Sequence, residues 1–192
     1  LSNLIINLTK SVACGNRIND VFKMKPSIND GSGMKTEDDT AVEFDHVSAT
    51  YAGSKEKSLD SLTLSVPRGS TVGIIGATGS GKTTLVNLIP RFYDVSGGSL
   101  KVNGTDVRNY NVDELRKLVG VVPQKAALVS GTVRDNMKWG KHDATDEDIN
   151  AALKTAQALD FINDKDGLDT KILQGGKNLS GGQIQRLTIA RA

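Results

Sequence analysis

The chain has 192 residues, with 24 basic and 22 acidic side chains and a net charge of +2. This length supports one domain with its own hydrophobic core and some additional chain. An apolar content of 38% and a mean hydropathy of −0.27 are typical of a globular domain. The balanced charge gives no argument for a nucleic-acid partner, the single Cys14 excludes an internal disulfide, and no apolar run is long enough to span a bilayer.

The first predicted element is an amphipathic helix over residues 1–22. Its apolar residues recur at helical spacing, at Leu1, Leu4, Ile5, Leu8 and Val12. Pro26 ends this element, because its ring clashes with a continuing helical turn. Residues 26–40 are rich in Gly, Ser, Asn and acidic residues and are predicted to form a flexible linker. Periodicity alone leaves open whether the helix packs on a domain or forms the cytoplasmic end of a membrane helix.

From residue 41 onward, the sequence predicts both strands and helices. Strands are expected at residues 42–47, 59–66, 71–75, 100–102 and 119–122. A helix over residues 82–90 follows the third strand. Residues 131–163 are predicted to be mostly helical, with a capped helix start at residues 143–148.

A glycine-rich loop joins the predicted strand at residues 71–75 to the helix that follows. Its sequence, GATGSGKT at residues 76–83, matches the pattern G-x-x-x-x-G-K-[ST]. Glycines let successive backbone N–H groups point at phosphate oxygens, and the helix start adds partial positive charge. We therefore predict that the loop binds a nucleoside triphosphate. The candidate binding residues are Gly76, Thr78, Gly79, Ser80, Gly81, Lys82, Thr83 and Thr84.

Three side chains of this loop have distinct predicted roles. Lys82 can reach the β- and γ-phosphates as a point charge. The hydroxyl of Thr83 can ligate Mg²⁺, which prefers oxygen ligands, and Thr84 can contact the α-phosphate. The loop alone does not separate GTPases, kinases, helicases and transporters, although the chain lacks the guanine-reading N-K-x-D run.

A second motif, LSGGQ at residues 179–183, opens another predicted helix. Ser180 is a natural N-cap, and Gln183 three residues later completes a capping-box pattern. The two glycines at the helix start expose backbone N–H groups to an anion. This run resembles the signature sequence of ABC ATPases, and the resemblance extends over residues 41–192.

The resemblance implies an α/β fold, with a P-loop NTPase core and mixed β-sheet, an antiparallel β part, and a helical subdomain at about residues 126–185. Tyr51 matches the family's adenine-stacking aromatic. Gln124 matches the Q-loop glutamine, a further Mg²⁺ ligand, and together with Lys82 it forms the pair of catalytic candidates. ATP and Mg²⁺ are the implied ligands.

In this family the signature acts on ATP held by a partner domain. The resemblance therefore implies a second ABC ATP-binding domain as partner, in a homodimer or a heterodimer. The residues expected to complete the partner's site are Ser180, Gly181, Gly182 and Gln183.

Residues 130–147 and the junction-like helix are similar to bacterial multidrug exporters. The implied organisation is the end of the last membrane helix at residues 1–25, a linker at 26–40, and the N-terminal two-thirds of the ATP-binding domain at 41–192. The implied function is an ATPase that couples ATP binding and hydrolysis to export of drugs or lipid-like molecules. It would act at the cytoplasmic face of the plasma membrane, with the transmembrane domain of the same polypeptide as partner. Residues 138–162 are most similar to subunits of heterodimeric exporters.

The sequence also departs from the family pattern. The Walker B strand, catalytic glutamate and switch histidine do not follow the signature, so we expect this chain alone to bind nucleotide but hydrolyse little. Gln174 stands where many exporters carry Glu, and Ile184 replaces a basic residue. Two alternatives stay open: a soluble ABC ATPase of DNA repair or translation, and a P-loop small-molecule kinase, which would leave residues 179–183 unexplained.

Overall fold

The computed structural model describes residues 2–33 and 38–192. The chain divides into two compact units, Leu1–Val119 and Gly120–Ala192, and each is considered by itself.

The first unit begins with helix α1, Ser2–Lys23, which confirms the predicted helix; Leu1 lies outside the described residues. Every residue of α1 is exposed, including the apolar side chains of Ile5 and Phe22. The apolar periodicity therefore indicated the helix correctly but identified no packing partner among the described residues.

Part of the predicted linker is attached to the first unit. The amides of Gly31 and Gly33 donate hydrogen bonds to the carbonyls of Tyr110 and Asn109, at 2.9 and 2.8 Å. A Cβ at Gly31 would lie 2.3 Å from the carbonyl carbon of Asn109, so this close approach requires glycine. These hydrogen bonds attach part of the predicted linker to the first unit, and its flexibility stays a prediction.

Asp30 adds a third attachment. Its carboxylate accepts a hydrogen bond from the amide of Val112, at 2.9 Å. Residues 34–37 of the same predicted linker lie outside the described residues.

An antiparallel sheet of order β2-β1-β3-β4 forms the centre of the first unit. Its strands are β1, Thr40–Ala49; β2, Leu59–Pro67; β3, Gly97–Val102; and β4, Thr105–Asp106. Helices α2, Lys82–Leu88, and α3, Val112–Leu118, accompany the sheet, with a 3₁₀ turn at Val107–Asn109. Buried apolar residues of strands and helices form one core, centred on Phe44, Val47, Leu88, Leu100 and Leu115. The strands predicted at residues 42–47, 59–66 and 100–102 are confirmed.

Two predicted strands, at residues 71–75 and 119–122, are not strands in the described chain. Ile75 is 98% exposed, and Val72 and Ile74 are also exposed. A buried parallel strand needs neighbours that satisfy its backbone groups, whereas every strand pair among the described residues is antiparallel. The apolar run at residues 71–75 therefore predicted a buried strand, but its side chains are exposed. Of the predicted mixed sheet, the antiparallel part is observed among the described residues.

The second unit is mostly helical, as predicted for residues 131–163. Its elements are β5, Gly131–Thr132; α4, Val133–Lys138; α5, Asp146–Thr155; α6, Leu159–Asn163; 3₁₀ turns at Gly167–Asp169 and Gln174–Gly176; β6, Lys171–Ile172; and α7, Gly181–Arg191. The short strands β5 and β6 pair antiparallel. A separate core includes Val133, Leu153, Ile162, Ile172 and Leu187.

Capping boxes begin three of these helices, at Thr132 for α4, at Thr145 for α5 and at Ser180 for α7. The amide of Thr132 donates to the Asp135 carboxylate and lowers the pKa of Asp135. Two hydrogen bonds lower the pKa of Asp148: the larger effect comes from the ammonium of Lys141 and the smaller from the amide of Thr145. The capped start predicted at residues 143–148 is thus confirmed.

Candidate functional site

The glycine loop at residues 76–83 adopts a backbone that glycine makes accessible. Gly79 and Gly81 have φ angles of 83° and 85°, in the left-handed region that other residues avoid. A Cβ at Gly81 would lie 2.5 Å from the carbonyl oxygen of Ser58 and 2.8 Å from a methyl group of Leu59. The packing of the first unit therefore requires glycine at residue 81.

The ammonium of Lys82 lies within the glycine loop. Nζ donates hydrogen bonds to the carbonyls of Gly76 and Ala77, at 2.7 and 2.6 Å, and to Oγ of Ser80, at 3.2 Å. An ammonium has three donors and no fixed plane, so it can turn from loop oxygens to phosphate oxygens. Residues 76–80 are all exposed, which leaves the loop accessible to a ligand.

Thr83 and Thr84 occupy different environments at the start of α2. Thr83 is exposed, whereas Thr84 is buried. The hydroxyl of Thr84 forms a hydrogen bond with the phenol of Tyr51, with the oxygens 3.0 Å apart. The structure therefore brings the predicted adenine-stacking residue to the helix that follows the loop. Thr78, another predicted ligand, is exposed.

Tyr51 also contacts Tyr93, a residue that the sequence analysis did not identify. The ring centroids are 4.9 Å apart and the ring planes are perpendicular. In an edge-to-face pair, at least one face of the Tyr51 ring stays uncovered by Tyr93. Tyr51 and Tyr93 are distant in sequence, so no local pattern indicated this contact.

Signature residues 180–183 form the N-terminal cap of α7. The amide of Gln183 donates to Oγ of Ser180 at 3.3 Å, and the amide of Ser180 donates to Oε1 of Gln183 at 2.9 Å. This confirms the predicted capping box. Ile184 follows and packs against the core of the second unit, which explains an apolar side chain at this position.

Gly181 and Gly182 are the first two residues of α7. A Cβ at either position would have no heavy atom within 4 Å. Both residues are exposed, and neither has a positive φ angle. The chain's own packing therefore does not account for glycine at these two positions.

Gln124, the predicted Q-loop residue, is an exposed residue in a bend of the second unit. Within residues 2–33 and 38–192, no group of three or more His, Cys, Asp or Glu side chains could hold a metal ion. No helix in that part of the chain combines the length and the apolar character needed to cross a membrane.

The resemblance to ABC ATPases rests on two features: the exposed glycine loop that carries Lys82, and the capped helix α7, which begins with two glycines. Residues 59–192 match the ABC transporter family. The chain therefore belongs to the ABC transporter family and has a nucleotide-binding domain of the P-loop NTPase fold. Membership of this family removes the small-molecule kinase from consideration.

Exporters are prominent among the chain's relatives. YgaD of Bacillus subtilis, by its name a candidate multidrug export ATP-binding/permease protein, is 43% identical over 194 aligned residues, which cover 100% of this chain and 33% of YgaD. An ATP-dependent lipid A-core flippase of Desulfotalea psychrophila is 39% identical, covering 100% of this chain and 34% of the flippase.

A solved structure of a bacterial Atm1-family ABC exporter with ATP bound superposes with a TM-score of 0.86 at 31% identity, covering 95% of this chain and 32% of that one. The chain thus spans about a third of the length of these relatives. The relatives favour an exporter over a soluble ABC ATPase of DNA repair or translation.

Proposed function

We propose that this chain is the nucleotide-binding domain of an ABC exporter, which couples ATP binding and hydrolysis to export of drugs or lipid-like molecules. The observation that carries the proposal is the exposed glycine loop with the Lys82 ammonium among its oxygens. The names of the relatives, which describe multidrug export and lipid A-core flipping, support this substrate class.

In this proposal the glycine loop binds the triphosphate. Lys82 exchanges its loop oxygens for β- and γ-phosphate oxygens, and backbone N–H groups of residues 76–84 donate hydrogen bonds to other phosphate oxygens. Tyr51 stacks on adenine with its open ring face. Thr84 contributes through its hydrogen bond to Tyr51 as well as its predicted contact with the α-phosphate.

Mg²⁺ is the proposed metal ion. The ligands expected from this chain are the hydroxyl of Thr83 and the amide oxygen of Gln124, both exposed and both hard oxygen donors of the kind that Mg²⁺ accepts. When bound with ATP, the ion would neutralise phosphate charge. Lys82 and Gln124 would be the two catalytic residues of this chain.

The signature helix is proposed to bind the ATP of a second ATP-binding domain. Gly181 and Gly182 have open space where a side chain would stand, so another molecule can approach their backbone closely. Ser180 and Gln183 hold that helix start in place through the capping box. The active assembly is therefore proposed to be a dimer of ATP-binding domains.

The proposed organisation follows the relatives, of which this chain covers about a third. Residues 1–25 are proposed to be the end of the last membrane helix, at the junction with the transmembrane domain of the same polypeptide, and residues 26–40 the linker. Residues 41–192 would form the N-terminal two-thirds of the ATP-binding domain, with a helical subdomain at about 126–185. The domain would lie at the cytoplasmic face of a bacterial plasma membrane.

ATP binding by the 192-residue chain, measured by isothermal titration calorimetry with Mg²⁺ present, tests this function. We expect Lys82→Ala to weaken ATP binding by roughly 10- to 100-fold, the equivalent of a lost charge-assisted interaction. Lys117→Ala, which removes an exposed lysine from α3, is the matched control and should bind ATP as the unaltered chain does. Equal affinity of the two variants would contradict the proposed role of the loop.

A further inference from the structure

We propose that Tyr93 is a positioning residue that orients Tyr51 for stacking on the adenine base, and that an ion pair between the buried Arg91 and the half-buried Asp94 holds Tyr93 in place. This inference rests on the proposed function, because it assigns the residues that shape the base site of the same ATP-binding loop. Neither Tyr93 nor the Arg91–Asp94 pair belongs to the glycine loop or to the signature motif.

The turn that carries Tyr93 is held by an ion pair between two of its own residues, Arg91 and Asp94. Arg91 is 4% exposed, and its backbone has a φ angle of 53°, which is uncommon for a residue other than glycine. Its guanidinium donates to both carboxylate oxygens of Asp94, at 2.6 and 3.3 Å. A fork-shaped pair of this kind fixes direction as well as distance. Tyr93 lies in the sequence between the two paired residues, so their ion pair restrains the turn that carries it.

Further hydrogen bonds attach this turn to the rest of the first unit. The Arg91 guanidinium also donates to the carbonyl of Val107, at 3.4 Å. From α3, Arg116 donates to the carbonyls of Pro90 and Arg91, both at 3.3 Å, and lies 5.4 Å from the ring centroid of Phe92. Two arginines from different parts of the sequence therefore hold the backbone immediately before Tyr93.

Tyr51 has less support of its own. It is followed by residues 52–57, which are all exposed and connect β1 to β2. Its side chain is restrained at two points: the phenol oxygen bonds to Thr84, and the ring meets Tyr93 edge to face. One contact fixes the end of the side chain and the other fixes the tilt of the ring. Without Tyr93 the ring could rotate about the remaining hydrogen bond, and stacking on a base would then cost the entropy of ordering it.

The pairing also fits a base site geometrically. Because the two rings are perpendicular, Tyr93 supports Tyr51 without covering both of its faces. Thr84 lies on the helix that begins at the glycine loop, and the turn that bears Tyr93 follows that same helix. The two restraints on Tyr51 therefore come from the first turn of one short helix and from the turn that follows this helix. They link the tilt of the Tyr51 ring to the element that carries the phosphate loop.

A double-mutant cycle tests the proposal by calorimetric titration of the full chain with Mg²⁺-ATP and, as a base-free probe, with inorganic tripolyphosphate. We expect Tyr93→Ala to weaken ATP binding roughly two- to tenfold and to leave tripolyphosphate binding unchanged. Tyr93→Phe, which keeps the ring, should restore ATP affinity. In a Tyr51→Ala background, Tyr93→Ala should cause no further loss. Phe22→Ala, which removes an exposed aromatic side chain from α1, is the control and should bind both ligands as the unaltered chain does.

Several results would overturn the proposal. Unchanged ATP affinity in Tyr93→Ala, an equal loss for ATP and tripolyphosphate, or additive losses in the double variant would each show that Tyr93 does not act through Tyr51. Failure of Tyr93→Phe to restore affinity would exclude the ring contact. Failure of the proposed function looks different, since the unaltered chain would then bind neither ATP nor tripolyphosphate.

Discussion

The two units of this chain use glycine for different reasons. In the first unit, Gly81 has a left-handed backbone, and a Cβ there would meet the carbonyl oxygen of Ser58 at 2.5 Å. In the second unit, Gly181 and Gly182 have ordinary helical backbones, and a Cβ on either would meet nothing within 4 Å. All three glycines stand at the start of a helix, yet only Gly81 is constrained by the chain's own atoms.

This difference separates two kinds of requirement. At Gly81 the fold itself excludes a side chain, so substitution should be detected by any measurement of stability. At Gly181 and Gly182 the fold tolerates a side chain, so a requirement for glycine has to come from a molecule that approaches from outside. The predictions below test this separation, beginning with the substitution that should have the largest effect.

Gly81→Ala should destabilise the first unit by about 2–4 kcal/mol, since it adds left-handed strain to a steric clash. Chemical denaturation followed by circular dichroism measures the loss. Gly79→Ala is the matched control, because Gly79 has a similar φ angle of 83° but open space around its Cβ position. It should lose only the strain, about 1–2 kcal/mol. Equal losses in the two variants would mean that the clash with Ser58 does not contribute to the loss of stability.

Much of this contrast could be predicted from the sequence, because it depends on local patterns. The glycine loop, the helix after it and the capping box of Ser180 and Gln183 are each specified by residues a few positions apart. The clash at Gly81 was not predictable in this way. It depends on Ser58, a residue distant in sequence that the antiparallel sheet brings near.

The same limit explains the errors. Residues 71–75 carry the composition of a buried strand, but a strand forms only where neighbours complete its hydrogen bonds, and no local pattern reveals those neighbours. The glycines at residues 30–33 read as linker because their partners, at residues 109–112, are far along the chain. The contact of Tyr93 with Tyr51 was missed for the same reason.

Ser180→Ala should have an intermediate effect. It removes the hydroxyl that accepts the Gln183 amide and so leaves one donor of the helix start unsatisfied, at a cost of about 1 kcal/mol. Thermal unfolding followed by circular dichroism checks this. Ser180→Asp, which keeps an acceptor at the cap, should retain most of the stability. If Ser180→Ala unfolded like the unaltered chain, the capping box would not stabilise α7.

Gly182→Ala should have the smallest effect on the chain alone and so is the sharpest test of the comparison. Alanine is favoured over glycine in helices, and this Cβ meets open space, so stability should stay the same or rise by a few tenths of a kcal/mol. Gly15→Ala on the exposed helix α1, where a Cβ also meets nothing, is the matched control for this helical gain.

The two variants should differ only when a second molecule is present. We expect ATP-dependent self-association, measured by sedimentation velocity, to weaken in Gly182→Ala and to remain unchanged in Gly15→Ala, because only Gly182 lies in the proposed surface for a partner's ATP. A stability loss above about 1 kcal/mol in Gly182→Ala would place the requirement inside the fold after all. Equal association of both variants would instead contradict the proposal that α7 binds a partner's ATP, because an added Cβ at residue 182 would then not hinder the approach of another molecule.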